Sequence, residues 1–151
     1  MHIFGVSSVP CYNLEGDELM VTLQIRTTSR SQMVDITDRV AEALKSQGVQ
    51  NGIAFVFVPH TTAGITINEN ADPDVVHDIL FALDQCVPWR QNGYRHIEGN
   101  TAAHVKASMV GSSVSVLVRD GRMVLGTWQA IFLCEFDGPR TRYVYVSALQ
   151  P

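Results

Sequence analysis

The stretch SVSVLVRDGRMVLGTWQAIFLCEFDGPRTRYVYVSA, Ser113 to Ala148, decides the fold class. Ser113–Val118 reads as a strand, Asp120-Gly121 as a tight hairpin turn and Met123–Leu125 as the returning strand. Gly126-Thr127-Trp128-Gln129 interrupts the pattern, and Ala130–Phe136 resumes it. Asp137-Gly138-Pro139 turns the chain once more. In Arg142–Ala148, Tyr143, Tyr145 and Ser147 alternate against Val144, Val146 and Ala148, the period of a pleated strand. Consecutive strands joined by turns make an antiparallel meander, expected to fold into a sandwich.

Upstream, helices enter. Val6–Tyr12 reads as a short first strand, and Glu15-Gly16-Asp17 as a turn. Leu19, Val21, Leu23 and Ile25 share one face of a second strand. A polar turn, 28–32, leads to Met33–Ile36. Thr37 is expected to cap a helix, with Asp38 near its positive end. Ile36, Val40 and Leu44 recur every four residues, and Gly48 stops the helix. Asn51-Gly52 is a turn. The nearly continuous apolar run Ile53–Val58 reads as a strand buried on both faces. A strand is expected just after Gly64, with Ile65 and Ile67 opposite Thr66 and Asn68. Asp72 at the cap and Pro73 in the first turn announce a helix. Val76, Ile79, Leu80 and Leu83 form its apolar face, and Val87-Pro88 ends it near Cys86. Thr101 caps a short helix to about Val110. The order predicts a single α+β domain over residues 1–151: a compact sandwich of mostly antiparallel strands, two main helices and one short one.

Composition narrows the function. Hydrophobic residues make up 46% and charged residues 17%, enough apolar material for a core and too little charge for disorder. A formal net charge of −4, with no Lys/Arg stripe, argues against nucleic acid as the partner. No run approaches the ~18 apolar residues of a membrane helix. The start, MHIFGVSSVP, lacks the basic and apolar regions of a secretory signal. Cys11, Cys86 and Cys134 are far apart with no CxxC, so free thiols in a reducing cytoplasm are expected.

The chemistry-bearing residues gather in two segments, PHTTAGITINENADPD (Pro59–Asp74) and HIEGNTAAHVK (His96–Lys106). His60 follows an apolar strand, where a rigid element can present a side chain to a cleft. His96 and His104 flank Gly99. Neutral imidazoles are common metal ligands, and three of them would leave a fourth position open. Without HExxH or HxxxH the spacing is weak evidence. Glu69 and Asn70 have no local capping duty, unlike Asp72, and can orient substrate or water. Glu98 can orient a histidine. Lys106 can meet an anion, as can the scattered Arg119, Arg140 and Arg142, although solvated surface is their ordinary fate. Thr127 and Gln129 fall opposite Trp128 and require polar partners.

With these residues in view, the chain resembles the YjbQ family, the secondary thiamine-phosphate synthase enzyme family. The likeness rests on HTTAGITINENADPDV (His60–Val75), HIEGNTAAHVKAS (His96–Ser108) and DGRMVLGTWQAIFLCEFDGPR (Asp120–Arg140), three blocks in one order. The resemblance implies an α+β sandwich assembling as a homotrimer. It also implies a low activity joining a pyrimidine diphosphate to a thiazole phosphate with release of pyrophosphate. On that reading His60, Glu69, Asn70 and His104 are catalytic, and Glu98, Lys106, Thr127 and Gln129 bind a small phosphorylated metabolite. His60, His96 and His104 would hold a divalent metal, zinc or magnesium. Two other classes stay open: a metal- or metabolite-binding trimer with incidental activity, and a metal-assisted hydrolase.

Overall fold

A computed structural model describes residues 20–151. The expected strand Val6–Tyr12, the turn at Glu15–Asp17, His2 and Cys11 lie outside the described residues. In chain order the elements are β1 (Met20–Arg26), β2 (Gln32–Asp35), α1 (Thr37–Ser46), β3 (Gly52–Phe57), β4 (Ala63–Glu69), α2 (Pro73–Cys86), α3 (Thr101–Val110), β5 (Ser113–Arg119), β6 (Arg122–Met123), β7 (Gln129–Glu135) and β8 (Thr141–Leu149). The architecture is α+β. One sheet has five strands in the order β1-β8-β3-β5-β6, the other three in the order β2-β7-β4, and every described pairing is antiparallel.

The sheets face each other across one apolar core. Leu23, Ile25, Ala54, Val56, Val116, Val118, Val144 and Val146 come from the larger sheet. Ile65, Ile131 and Leu133 meet them from the smaller one, and Val40, Ala43 and Leu44 of α1 complete the packing. The far face of the smaller sheet carries a second core. There Met33, Phe132 and Cys134 pack against Ala103 and Ala107 of α3 and Val76, Ile79, Leu80 and Leu83 of α2. Strand β7 is thus apolar on both sides, which is why IFLC shows no alternation.

No described residue covers the outer face of the larger sheet, and this corrects the reading of Ile53–Val58. Ala54, Val56 and Val58 are buried, but Ile53, Phe55 and Phe57 are 39–42% exposed. The run alternates by environment although not by hydropathy, since both faces carry apolar side chains.

Local signals set most boundaries. Asp72 caps α2 by accepting from the Asp74 N–H at 2.9 Å, with Pro73 in the first turn. Asp120 and Gly121, at φ 51° and 73°, form the β5–β6 hairpin turn. The threonine caps are corrected. Thr37 is itself helical, and its N–H and hydroxyl bond Asp35 Oδ1 at 2.9 and 2.6 Å. Its hydroxyl also accepts from Ile131 N–H, tying α1 to β7. α3 begins after Asn100, with no side-chain cap. Strand β4 includes Gly64 rather than following it. A Cβ at Gly64 would lie 2.8 Å from Gly111 O and 3.0 Å from Val110 Cγ1, so glycine is what lets β4 touch the end of α3.

Candidate functional site

His60 is held from behind. Its ring stacks on Tyr143, with centroids 6.2 Å apart, and its Nε2 accepts the Tyr143 backbone N–H at 2.9 Å. The segment around it is clamped on both flanks. Val58 N–H donates to Ser112 O at 2.8 Å, and Arg142 Nη2 donates to Thr62 Oγ1 at 2.8 Å. The opposite wall is α3, drawn close by the Ile65 N–H···O=C Gly111 bond of 2.9 Å. Between the walls lies a cleft of about 520 Å³ lined by His60, Thr61, His104, Ser108, Gly111 and Ser112, among others. That volume suits a small metabolite.

His104 sits in the first turns of α3. Beside it the His96 ring stands edge-on, centroids 5.3 Å apart and planes at 86°. A turn closed by Gly99 N–H on His96 O, with Gly99 at φ 71°, folds His96 back onto the helix. Glu98 Oε2 lies 3.8 Å from His96 Nε2, close enough for a charge interaction but beyond hydrogen-bond distance.

Behind the cleft runs a buried polar network that the sequence reading missed. Glu135 is fully buried, and its carboxylate takes Arg142 through Nε at 2.8 Å and Nη2 at 2.5 Å. Thr27 Oγ1 and the N–H groups of Phe136 and Asp137 complete its shell at 2.9, 3.0 and 2.9 Å. Burial alone would raise the Glu135 pKa; the Arg142 hydrogen bonds, the Asp137 N–H, the Arg142 charge and the Thr27 bond outweigh it and hold it low. Arg142 therefore belongs to the core. The signal was present: one carboxylate in an unbroken apolar strand, AIFLCEF, requires a buried cation.

Burial also pushes the His60 pKa down, and the Arg142 and Arg140 charges add to it against an opposing pull from Glu135. His60 is a neutral imidazole at neutral pH. With Nε2 accepting, its proton sits on Nδ1, so the free edge of the ring is a donor. A donor N–H does not ligate a metal. Among the described residues no three His, Cys, Asp or Glu side chains form a group able to hold an ion. The residues do not fit a three-histidine centre. His96 and His104 remain adjacent, their rings edge to face.

The structure divides the other expected site residues. Glu69, Asn70, Thr127 and Gln129 collect at the far end of β4, where Glu69 pairs with Gln129. Six residues separate that end from Ala63 at the cleft, about 20 Å at the usual strand rise. Asn70 Nδ2 bonds Asp35 at 3.1 Å, and Gln129 Oε1 accepts from Gly126 N–H at 2.8 Å, closing a turn. Burial raises the Asp35 pKa, but the Thr37 hydroxyl and N–H and the Asn70 amide lower it further, for a net decrease. Lys106 lies in neither group. It is 2% exposed and paired with Asp84 of α2, which ties the two helices together and engages its charge. Cys134 is buried, its thiol pushed up to about 12 by desolvation, and Cys86 is exposed; both are free.

Residues 21–151 match the family model described as UPF0047 protein YjbQ-like. The chain is 55% identical to UPF0047 protein YugU of Bacillus subtilis over 131 residues, covering 87% of this chain and 99% of that one. It is 49% identical to a UPF0047 protein, MJ1081, of Methanocaldococcus jannaschii, covering 87% and 95%. A YjbQ/UPF0047-family structure from Clostridium acetobutylicum superposes with TM-score 0.83 at 50% identity, over 85% of this chain and 99% of that one. A Sulfolobus solfataricus structure described as a YbjQ-like protein of unknown function gives 0.83 at 36%, over 87% and 96%. None of these descriptions carries a thiamine-phosphate synthase activity, so the activity implied by resemblance is corrected: the likeness establishes the family and the fold. Lys106, spent on Asp84, and the distant Glu69 group agree with that correction within one chain.

Proposed function

The chain belongs to the YjbQ-like UPF0047 family, and from its own geometry we propose that the histidine cleft binds a small polar metabolite through an acceptor oxygen. The carrying observation is the Tyr143 N–H on His60 Nε2, which leaves Nδ1–H as the free donor. His104 faces the same cleft, and the hydroxyl-bearing residues Thr61, Ser108 and Ser112 add polar lining. A phosphorylated or carboxylated metabolite suits this set. With one imidazole held as a donor and a second on the facing wall, the cleft has the equipment for proton transfer to and from the bound molecule. Calorimetric titration of a panel of phosphorylated and carboxylated metabolites tests the reading. Binding weakened about tenfold or more by both His60→Ala and His104→Ala supports it, since a charge-assisted hydrogen bond carries that much. Binding indifferent to both substitutions overturns it.

A second reading is a divalent cation held by His96 and His104. Support comes from the 5.3 Å ring separation, compatible with two nitrogens each ~2 Å from one ion. Metal analysis after zinc loading and dialysis checks it: His96→Ala should lose the ion and His60→Ala should keep it. A homotrimer is supported by the apolar outer face of the larger sheet, where Ile53, Phe55, Phe57, Leu117, Tyr143 and Leu149 are exposed; sedimentation as a monomer at micromolar concentration would reject it. A cytoplasmic location is supported by the free thiols and, among the described residues, by the lack of any helix long and apolar enough to cross a membrane.

A further inference from the structure

A second cleft, of about 460 Å³, opens where β1 ends and β8 begins, lined by Arg26, Thr27, Thr28, Pro139, Arg140 and Thr141. No carboxylate lines it. Its frame is rigid. Thr27 N–H donates to Arg140 O at 2.8 Å, Arg140 N–H donates to Thr27 Oγ1 at 2.8 Å, and Arg26 is the register partner of Thr141. The Arg140 guanidinium is oriented by Asp137, with Nε on the backbone oxygen at 2.7 Å and Nη2 on Oδ2 at 2.7 Å. Three of its five N–H donors have no partner among the described residues. Arg26 makes no ion pair or hydrogen bond with another described side chain.

The local charge is positive on an acidic protein. Arg26, Arg30, Arg140 and Arg142 occupy this end of the sandwich, while Glu135 and Asp137 each neutralise one of them. Arg30 lies over the Trp89 ring at 4.5 Å. Of the two arginines that line the cleft, Arg140 shares its charge with Asp137 and Arg26 has no carboxylate partner among the described residues, so a net positive charge borders a concave polar surface, which concentrates anions. Arginine forks match tetrahedral oxyanions, and the Thr141 hydroxyl can supply a further donor.

We propose that this cleft is an oxyanion site, separate from the histidine cleft, that takes a phosphate group through Arg26 and Arg140. The probes are inorganic phosphate and methyl phosphate, titrated into the full chain at constant ionic strength with chloride as the balancing ion. Saturable binding is expected. It should weaken about tenfold in Arg26→Gln, through loss of one charged hydrogen-bonding partner. It should persist in His60→Ala, so the fate of this site is independent of the histidine cleft. Arg122→Gln, on the β5–β6 hairpin, controls for net charge. Arg140→Lys keeps the charge and loses the fork, and should also bind more weakly. Preference for free ion or ester identifies the source of the phosphate, and either ranking sustains the site. No saturable binding of either probe overturns the proposal, as does equal binding by wild type and Arg26→Gln, or an equal loss in Arg122→Gln.

Discussion

Glu135→Gln is the sharpest perturbation of this fold, because it changes a charge and almost no volume. The carboxylate receives five hydrogen bonds, from Arg142 Nε and Nη2, Thr27 Oγ1, and the N–H groups of Phe136 and Asp137. Oε1 takes three of those donors, so the new amide nitrogen settles at Oε2, facing Thr27 and Arg142 Nε. The Thr27 hydroxyl can turn; the Arg142 Nε–H cannot. One charge-assisted bond is lost, at about 1.5–3 kcal/mol, and a guanidinium 5% exposed as a residue keeps its charge without a counter-ion. Breaking a buried pair this way costs about 3–5 kcal/mol. We expect about 3 kcal/mol for Gln and the upper end for Ala. At ~2–4 °C per kcal/mol for a chain of this size, Glu135→Gln should lower Tm by about 6–12 °C. Urea unfolding measures the cost, and His60 is an internal reporter. Its pKa should fall further in Glu135→Gln, where the opposing charge is gone, and rise in Arg142→Met. A loss below about 1 kcal/mol, or an unmoved His60 titration, would falsify the network.

Three further outcomes follow from the same physics. Asp84→Asn should cost more than Lys106→Met, about 3 kcal/mol against under 1, because the first strands a buried ammonium and the second removes it; paired thermal melts decide. Gly64→Ala should destabilise by about 1–3 kcal/mol through overpacking against Gly111 O and Val110, and amide shifts in α3 should report its displacement from β4. On acidification, the depressed pKa of His60 means the unfolded chain binds the extra proton first. Stability therefore falls as pH drops below the ordinary 6.5 through the lower folded value, and the depressed Glu135 adds a loss as pH falls from the ordinary 4.5 through its own lower folded value. His60→Phe should remove the first phase and keep the second in denaturant midpoints measured across that range.

How legible the chain was depended on the range of the force involved. The Asp72-Pro73 start of α2 and the Asp120-Gly121 hairpin are decided within four residues, and both were readable. Alternation in β8 was readable because Val144 and Val146 meet a core while Tyr143 and Tyr145 do not. The run Ile53–Val58 misled for the opposite reason: hydropathy marks what is apolar, not what is covered, and the outer face of β3 is apolar and open. His96 and His104 were placed together by a local turn at Gly99. Adding His60 to their surroundings required the β3–β8 pairing, which joins residues 83 positions apart at the Tyr143–His60 bond. The assignment failed for Lys106, where spacing from His104 said nothing about Asp84 on another helix. Glu69 and Asn70 were grouped with His60 by sequence distance, yet a strand carries its two ends apart.

The buried network explains why the cleft sits where it does. Glu135 ends β7 facing a core that would reject it, so it must hold a cation, and Arg142 on the neighbouring turn-linked strand supplies one. Fixing Arg142 leaves Nη2 aimed at Thr62, two residues from His60, while the next residue, Tyr143, presents its N–H to the imidazole. One strand position thus anchors the loop and its neighbour sets the tautomer. A hydrophobic pair at 135 and 142 would pack as well or better, since desolvating two charges gains little net stability. It would give no hydrogen bond to Thr62 and no field at His60. The charge pair is better understood as what places and tunes the histidine than as what holds the sandwich closed.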